Sequence, residues 1–301
     1  MKKLGKKSRY SWCLIGMIFF WFLIYKFVDK SDLIVIVKKS LPLREAGLLN
    51  GMVWGEKEGI SNDFYSLLKN TGLIHVVVVS GANLMIVGKN LIENLAKIIG
   101  RNLAIIGGGG IILIYVNLVG WQIPVVRAVL FLGIYYWSKF LRRQFISSRA
   151  LLLVGLIMFL ADFKMITNVS FWLSMAAFIA VTLNQKEGIL KNTIWVSLFI
   201  LPILSMVFGQ ISLITPISNL GVLFLVEVLT IIGFLGTLVG LFWLDFGKII
   251  LITSYPFLRY FIEMVEGVGK FGGVLNFRFN WLMLVGWYLI IGGYWYEKKK
   301  I

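Results

Sequence analysis

Cysteine and histidine are almost absent from this chain of 301 residues, which holds one of each, Cys13 and His75. A single cysteine excludes an internal disulfide framework and a metal site built from several thiolates. A single histidine excludes a site that needs several imidazole ligands, such as a binuclear metallohydrolase centre. Neither a phosphate-binding loop nor a dinucleotide fingerprint occurs in the sequence, so nothing predicts ATP hydrolysis. We therefore expect no enzyme activity, no catalytic residue, no bound metal and no cofactor.

Charged residues are also scarce. Asp, Glu, Lys and Arg together make up 15% of the chain, whereas about a quarter is usual in soluble domains. Hydrophobic residues make up 59%, and the mean hydropathy is +0.87. Because a transmembrane helix needs roughly 20 apolar residues, this composition excludes an ordinary soluble domain and predicts an all-α polytopic membrane protein. The excess of 30 Lys and Arg over 14 Asp and Glu is then mainly an orientation signal, since cationic residues collect on the cytoplasmic side.

Apolar segments follow one another closely along the chain and predict about ten transmembrane helices. The first is long, aromatic and without a small-residue cleavage pattern, which favours a retained span over a signal peptide. At least one later segment is expected to be broken or re-entrant, and 168–183 and 249–263 give the weakest signals for a complete crossing. The segments lie at about 10–28, 73–88, 103–120, 124–138, 150–166, 168–183, 193–213, 217–240, 249–263 and 280–296.

The distribution of charge predicts a topology and three regions. Basic residues are concentrated at 1–10, 139–149 and 297–301, whereas the polar stretch 29–71 has balanced charges. By the positive-inside rule, both termini lie in the cytoplasm and 29–71 lies outside. The regions are 1–40, with a basic cytoplasmic tail, the first transmembrane helix and a short outer segment; 41–296, a membrane domain; and 297–301, a basic cytoplasmic tail.

Polar residues interrupt the second apolar segment, which reads His75-Val-Val-Val-Val-Ser80-Gly81-Ala-Asn83. Four valines followed by Ser-Gly form a poor helix interior, so we expect the helix to break near Ser80 and Gly81. Backbone groups freed by a break inside a membrane must be buried in protein or line a wet cavity. An alternative interpretation is that His75 and Asn83 simply form hydrogen bonds between neighbouring helices.

Two further segments carry polar side chains. Arg127 follows Pro124, which favours the first turn of a helix, and therefore falls one turn inside a span. An arginine at that depth is costly and either faces a partner or a water-filled cavity, or snorkels to the interface. Ser170 and Ser174 are four residues apart and share one helix face, which taken alone is typical of ordinary helix packing.

The last polar stretch starts at Pro202, inside a span, and continues through Phe208-Gly-Gln210-Ile-Ser to Asn219. This order predicts a kinked helix that leads into a short bend outside the membrane. Glu227 follows near the middle of the next span. An intramembrane acid is a functional hypothesis by default, and we expect it either to pair with Arg127 or His75 or to stay protonated through desolvation.

Several of these stretches, taken in order, resemble the ComEC family of competence proteins. The resemblance begins with Leu41-Pro-Leu-Arg-Glu45-Ala-Gly-Leu-Leu-Asn-Gly-Met-Val-Trp-Gly55 and covers about residues 41–235. It continues through Gly72-Leu-Ile-His75, Ser80-Gly81, Arg127-Ala128, Phe171-Trp-Leu-Ser174 with Ala176, and Pro202 with Phe208-Gly-Gln-Ile-Ser212 and Asn219. The chain departs from the family in having Asn83 where His is common, Trp172 where Gln is common, and no proline shortly after Asn219.

The resemblance implies a function. Residues 41–296 would be a ComEC-like competence domain, a multi-pass channel in the cytoplasmic (inner) membrane that carries single-stranded DNA inward during natural transformation. Its partners would be single-stranded DNA and membrane lipid. The candidate channel-lining or family-motif residues are His75, Ser80, Gly81, Asn83, Arg127, Ser170, Ser174, Gln210, Asn219 and Glu227. Because a deep arginine and a broken helix both need water or polar partners, we expect Ser80, Gly81, Asn83 and Arg127 to converge with Asn219 on one water-accessible path, with Glu227 as a further candidate.

Larger relatives add a DNA-binding domain of OB type and a metallo-β-lactamase-like domain with a proposed nuclease role. We expect neither here, because the polar stretch is too short for a closed five-stranded barrel and one histidine cannot build the second site. No nuclease activity is therefore expected in this polypeptide. The sequence leaves open whether separate DNA-binding, nuclease or motor chains of an uptake machine act as partners.

Two other functions stay open. A transporter of small solutes or lipid would share the intramembrane polar groups but not the ordered motifs. An intramembrane serine hydrolase using Ser80 with His75 is less favoured, because residues five apart on a helix point about 140° apart.

Overall fold

The computed structural model describes residues 28–77, 81–162, 168–183, 189–270 and 273–298. Over these residues the chain is helical, apart from one short antiparallel pair of strands, so the prediction of an all-α fold is confirmed. The helices are α1 (Lys30–Ser40), α2 (Leu43–Trp54), α3 (Asn62–Asn70), α4 (Ile74–Val77), α5 (Gly81–Ile99), α6 (Arg101–Val119), α7 (Ile123–Phe140), α8 (Ser147–Ala161), α9 (Val169–Leu183), α10 (Ile189–Phe208), α11 (Thr215–Phe242), α12 (Leu244–Ile252), α13 (Tyr255–Lys270) and α14 (Trp281–Lys298). The strands are β1 (Ile211–Ser212) and β2 (Val274–Leu275), with Ile211 opposite Leu275.

The described residues belong to two compact units. The first unit falls within Met1–Asn62, His75–Gly155 and Phe224–Ile262, and the second within Asp63–Ile74, Leu156–Leu223 and Glu263–Ile301.

Helix α2 forms the core of the first unit, because every residue from Glu45 to Trp54 is buried. After Glu45 the helix contains no charged residue, and a helix that is apolar on all sides can be enclosed completely. Gly55 ends the helix in the left-handed conformation, at φ 70°, which favours glycine. The charges of the polar stretch 29–71 therefore lie on either side of a buried helix.

Helices α5, α6 and α7 pack together in the same unit, and α5 contacts both of the others. An aromatic cluster connects α6 with the buried helix α2 and with α11. The Tyr115 ring meets the Trp54 ring edge-on at a centroid distance of 5.6 Å and the Phe234 ring at 5.3 Å. Such pairs contribute roughly 0.5–1.5 kcal/mol beyond the area they bury, so the cluster fixes α6 against α2.

The second unit contains a bundle of α9, α10 and α14 with a small apolar core. Ala176 and Ala180 of α9 pack with Phe199 of α10 and Ile291 of α14, and small side chains allow helices to approach closely. The Tyr288 hydroxyl donates to the Phe199 carbonyl oxygen at 2.7 Å, which links α14 to α10.

Three helices in the described part of the chain are long and apolar enough to cross a membrane, namely α6, α7 and α11. Shorter apolar helices cover Ser147–Ala161, Val169–Val181 and Thr193–Phe208. These apolar helices are compatible with a membrane location, but they do not confirm the predicted number of about ten spans. The predicted first span, 10–28, lies outside the described residues except for Val28.

The segment 249–263 is not the single span that we predicted. Helix α12 ends at Ile252 and α13 begins at Tyr255, with a turn between them. The hydroxyl groups of Thr253 and Ser254 donate to the carbonyl oxygens of Ile250 and Leu251. Side chains of this type compete with helical backbone bonds, and a proline follows at the second position of α13, where it suits the start of a new helix.

The break that we expect near Ser80 and Gly81 stays a prediction, because 78–80 lie outside the described residues and the chain is helical on both sides of them. Helix α4 ends at Val77 and α5 begins at Gly81, while 78–80 lie outside the described residues. Helix α5 then continues to Ile99, beyond the predicted end of this segment at 88. The helix continues because it is amphipathic there: Lys89, Glu93 and Lys97 are exposed and four residues apart, so their charges occupy one helix face.

Candidate functional site

The start of α5 lies against the first turn of α7. Gly81 is buried, and a Cβ atom added to it would lie 2.7 Å from the carbonyl oxygen of Pro124 and 3.2 Å from the Cβ atom of Ala128. Arg127 belongs to the same turn of α7 and is half-buried. The structure therefore brings together two of the stretches that carry the resemblance, and only a glycine fits at their contact.

Asn83 is buried and its side chain contacts the C-terminal end of α2. Its Nδ2 atom donates to the carbonyl oxygen of Met52 at 3.0 Å. From α6, the Tyr115 hydroxyl donates to the next carbonyl oxygen, that of Val53, at 2.6 Å. The last carbonyls of a helix have no partner within the helix, so two side chains from other helices satisfy the buried end of α2.

The sequence analysis did not identify two buried polar groups on α2. Asn50 donates through Nδ2 to the carbonyl oxygen of Ile34 at 3.3 Å, but its Oδ1 atom has no hydrogen-bond partner in the described part of the chain. The indole nitrogen of Trp54 likewise has none there. Residues four apart share a helix face, so an unsatisfied acceptor and an unsatisfied donor lie on one side of α2, an arrangement that a water molecule can bridge.

Glu45 is a second feature that the sequence analysis missed, because its charge was counted within the balanced outer stretch. Its side chain is 5% exposed, and its Oε1 atom lies 3.9 Å from Nη1 of Arg259, whose side chain is 55% exposed. A carboxylate this buried needs a charged or hydrogen-bonding partner. The nine uncharged residues that follow Glu45 within α2 could have indicated that Glu45 begins a buried helix.

The remaining predicted polar residues of the later segments lie in the second unit. Ser170 is half-buried, and its backbone N–H donates to Oδ1 of Asn168 at 2.9 Å, so Asn168 caps the start of α9. Ser174 is half-buried on the same helix. The prediction of packing on one helix face is consistent with these positions.

The predicted bend after Pro202 is present. Helix α10 ends at Phe208, and Gly209 adopts the left-handed conformation at φ 69°, after which the half-buried Gln210 leads into β1. Asn219 is buried in the second turn of α11, and its Oδ1 atom has no hydrogen-bond partner among the described residues.

Glu227 is the acid that we expect to pair with Arg127 or His75 or to stay protonated, and both alternatives stay predictions. It is exposed on α11, and no ion pair of Glu227 occurs in the described residues. The face that carries it is otherwise apolar, with Leu223, Phe224 and Val228 also exposed. The sequence alone does not show which face of α11 is buried, and Glu227 lies on an exposed face.

Convergence of the predicted polar residues on one path stays a prediction. Gly81, Asn83, Arg127 and Glu227 belong to the first unit, whereas Ser170, Ser174, Gln210 and Asn219 belong to the second. His75 lies in α4, but its side chain and the whole of Ser80 are outside the described residues. Within the part of the chain that is described, no group of three or more His, Cys, Asp or Glu side chains is placed to hold a metal ion.

Comparison with known proteins gives one family. Residues 52–300 match the family described as Competence protein. A curated relative from Aquifex aeolicus (strain VF5), described as an uncharacterized protein, is 30% identical over 204 residues, which cover 66% of this chain and 46% of the relative. The chain thus spans about half the length of that relative. No solved structure matches.

Proposed function

Since the chain belongs to the Competence protein family, whose ComEC competence domain matches residues 52–300, we propose that it forms a path for single-stranded DNA across the cytoplasmic membrane. The family match is the observation that carries this proposal. In this proposal the protein is a multi-pass membrane protein with about ten spans and both termini in the cytoplasm. Competence and DNA uptake are the processes that family membership indicates, and the channel role is the finer proposal.

The buried polar groups of the first unit support a hydrated path. A strand of DNA carries one negative charge per phosphate and cannot cross hydrocarbon without water and polar contacts. Around the buried end of α2 the chain places Asn83 and Tyr115, and the unsatisfied atoms of Asn50 and Trp54 lie on the same helix. Unpaired buried polar atoms are costly in a dry interior, so their presence favours water at this position.

Arg127 is the residue that we propose to contact the DNA phosphates. It is half-buried in a helix long and apolar enough to span the membrane, and an arginine inside such a helix faces a partner or a water-filled cavity. Guanidinium groups also bind phosphate through paired hydrogen bonds. We propose that the chain itself cleaves nothing, and that any nuclease or motor activity is supplied by separate chains.

Deletion of the gene in a naturally transformable host tests the proposal. Labelled double-stranded DNA is added, and the label is measured separately at the cell surface, outside the cytoplasmic membrane and in the cytoplasm. We expect the deletion strain to bind DNA normally and to admit none to the cytoplasm, and we expect the intact chain to restore entry. Normal cytoplasmic entry in the deletion strain would exclude the channel role.

A further inference from the structure

A groove of about 620 Å³ lies between α5, α6 and α7, entirely within the first unit. Its walls are apolar and include Ile99 of α5, Ile106 of α6, and Leu132 and Trp137 of α7. Ile106 is 49% exposed and Trp137 is 64% exposed, so the groove opens on the outer surface of these helices. Its volume falls within the range of roughly 300–1,000 Å³ that is typical of small-molecule sites.

The groove is space that the protein does not fill. Gly109 of α6 and Gly133 of α7 both line it, and a Cβ atom added to either would meet no atom within 4 Å. Gly88 of α5 differs, since a Cβ atom there would lie 2.5 Å from a methyl group of Leu132. Along α6 the lining runs from Ile105 to Ile114, which at 1.5 Å per residue is about 14 Å. The groove is therefore elongated and apolar, as an acyl chain requires.

A cluster of cations lies at one end of the groove, where α5 ends, α6 begins and α7 ends. The members of this basic cluster, all of them exposed, are Lys97, Arg101, Lys139, Arg142 and Arg143. Between positions 81 and 150 the sequence contains a single acidic residue, Glu93. An apolar groove with cations at its mouth complements a molecule that has an acyl chain and an anionic headgroup.

From this charge complementarity we propose that the groove binds an anionic phospholipid, with one acyl chain along α6 and the phosphate at the basic cluster. A zwitterionic lipid with the same chains would fill the groove but lacks the net charge that the cluster attracts. The proposal uses the membrane placement proposed above and is independent of DNA transport, because lipid binding is measured on the purified protein.

Native mass spectrometry of the full chain in a neutral detergent tests the proposal. The protein is titrated with phosphatidylglycerol or with phosphatidylcholine of identical acyl chains. We expect phosphatidylglycerol to bind more tightly by roughly thirtyfold or more, since each Lys or Arg near a lipid headgroup contributes about 1 kcal/mol and two such contacts together correspond to roughly thirtyfold. Equal binding of the two lipids would overturn the proposal.

Two sets of variants locate the site. Gly109→Leu and Gly133→Leu each place a side chain in the groove and should weaken phosphatidylglycerol binding by roughly tenfold, because each displaces about two CH₂ groups of the lipid. Gly292→Leu of α14 is the matched control, since a Cβ atom at Gly292 also meets no atom within 4 Å. Its binding should be unchanged.

For the headgroup, the double variant Arg142→Gln/Arg143→Gln should reduce the preference for phosphatidylglycerol by roughly thirtyfold. The control is Lys38→Gln/Lys39→Gln, which removes two adjacent exposed cations from the last turn of α1. Thermal melting of every variant shows whether it folds, and the groove and headgroup variants test the site separately. Unchanged lipid binding in folded variants of both sets would contradict the site.

Discussion

The side-chain amide of Asn83 donates to the main-chain carbonyl oxygen of Met52 at 3.0 Å, across 31 residues of sequence. Helix α2 ends two residues after Met52, at the buried Trp54, so its last carbonyls need donors from outside the helix. A buried carbonyl without a partner costs roughly 1–3 kcal/mol. Asn83 thus has a structural role at the junction of α5 with α2, in addition to its place among the candidate path residues.

We predict that Asn83→Leu lowers the free energy of unfolding by roughly 1–3 kcal/mol, because the carbonyl of Met52 loses its donor while staying buried. Asn117→Leu is the matched control. Asn117 is exposed and donates to the Leu113 carbonyl of its own helix at 2.9 Å, so its replacement should change stability by less than about 0.5 kcal/mol. Thermal unfolding of both purified variants gives the comparison, and equal losses would contradict the role of Asn83.

The pair of Glu45 and Arg259 gives a prediction about a buried charge. Arg259→Ala leaves the carboxylate of Glu45 without the guanidinium that lies 3.9 Å away, and an unpaired buried charge is destabilising. The loss should be smaller than the roughly 3–5 kcal/mol of a fully buried pair, because Arg259 is half exposed.

A double-mutant cycle isolates this interaction. We expect Glu45→Gln/Arg259→Ala to melt at a higher temperature than Arg259→Ala alone, since the neutral amide removes the unpaired charge. A double variant that is less stable than Arg259→Ala would show that the pair does not stabilise α2.

Helical structure and most helix positions were predictable from the sequence, because long apolar segments flanked by charges have few other structures available. The burial of α2 was not predictable. Its ten buried residues begin with Glu45, within a stretch whose total charge is balanced, and a sum of charges does not show how the charges are spaced. The turn at Thr253 and Ser254 was missed for a related reason, since hydropathy does not register hydroxyl groups that bind the preceding carbonyls.

The candidate site was predictable where a residue is unusual for its surroundings. Gly81, Asn83 and Arg127 interrupt apolar segments, and the structure places Gly81 against the turn that carries Arg127. Trp54 and Asn50 were not identified, because tryptophan is common in apolar segments and its unpaired nitrogen is visible only once its neighbours are known. For Glu227, the sequence indicates a position near the middle of a span but does not show which way its side chain points.

We predict that Arg127→Ala abolishes entry of labelled DNA into the cytoplasm while the protein stays at normal levels in the membrane. Removal of a half-buried cation also removes its cost of burial, so the variant should insert normally. Arg127→Lys keeps the charge and should retain part of the entry. Arg149→Ala, which removes an exposed arginine at the start of α8, serves as the control and should transport normally. Normal entry with Arg127→Ala would contradict the proposed phosphate contact.

Trp54→Phe tests whether water occupies the unsatisfied face of α2. The indole nitrogen has no protein partner in the described residues, so its removal should change the melting temperature little. If the nitrogen binds water of the DNA path, entry of DNA should fall. Tyr115→Phe is the contrasting variant: it removes the donor to Val53 and should lower the melting temperature. Normal entry with Trp54→Phe would exclude the nitrogen from the path.

The positions of the cations predict how the chain is oriented in the membrane. Four basic residues, Lys139, Arg142, Arg143 and Arg149, occupy the end of α7, its connection to α8 and the start of α8. Cations near the ends of membrane helices stay on the cytoplasmic side. We therefore expect this connection to be cytoplasmic and the exposed Ser61, in the charge-balanced stretch before α3, to lie outside.

Cysteine labelling in a Cys13→Ser background measures this orientation, because Cys13 is the only cysteine in the chain. Ser61→Cys should react with a membrane-impermeant maleimide in intact cells. Ser148→Cys, exposed at the start of α8, should react only after the cells are permeabilised. Reaction of Ser148→Cys in intact cells would reverse the assigned orientation. It would also place the basic cluster at the outer leaflet, on the side from which DNA enters.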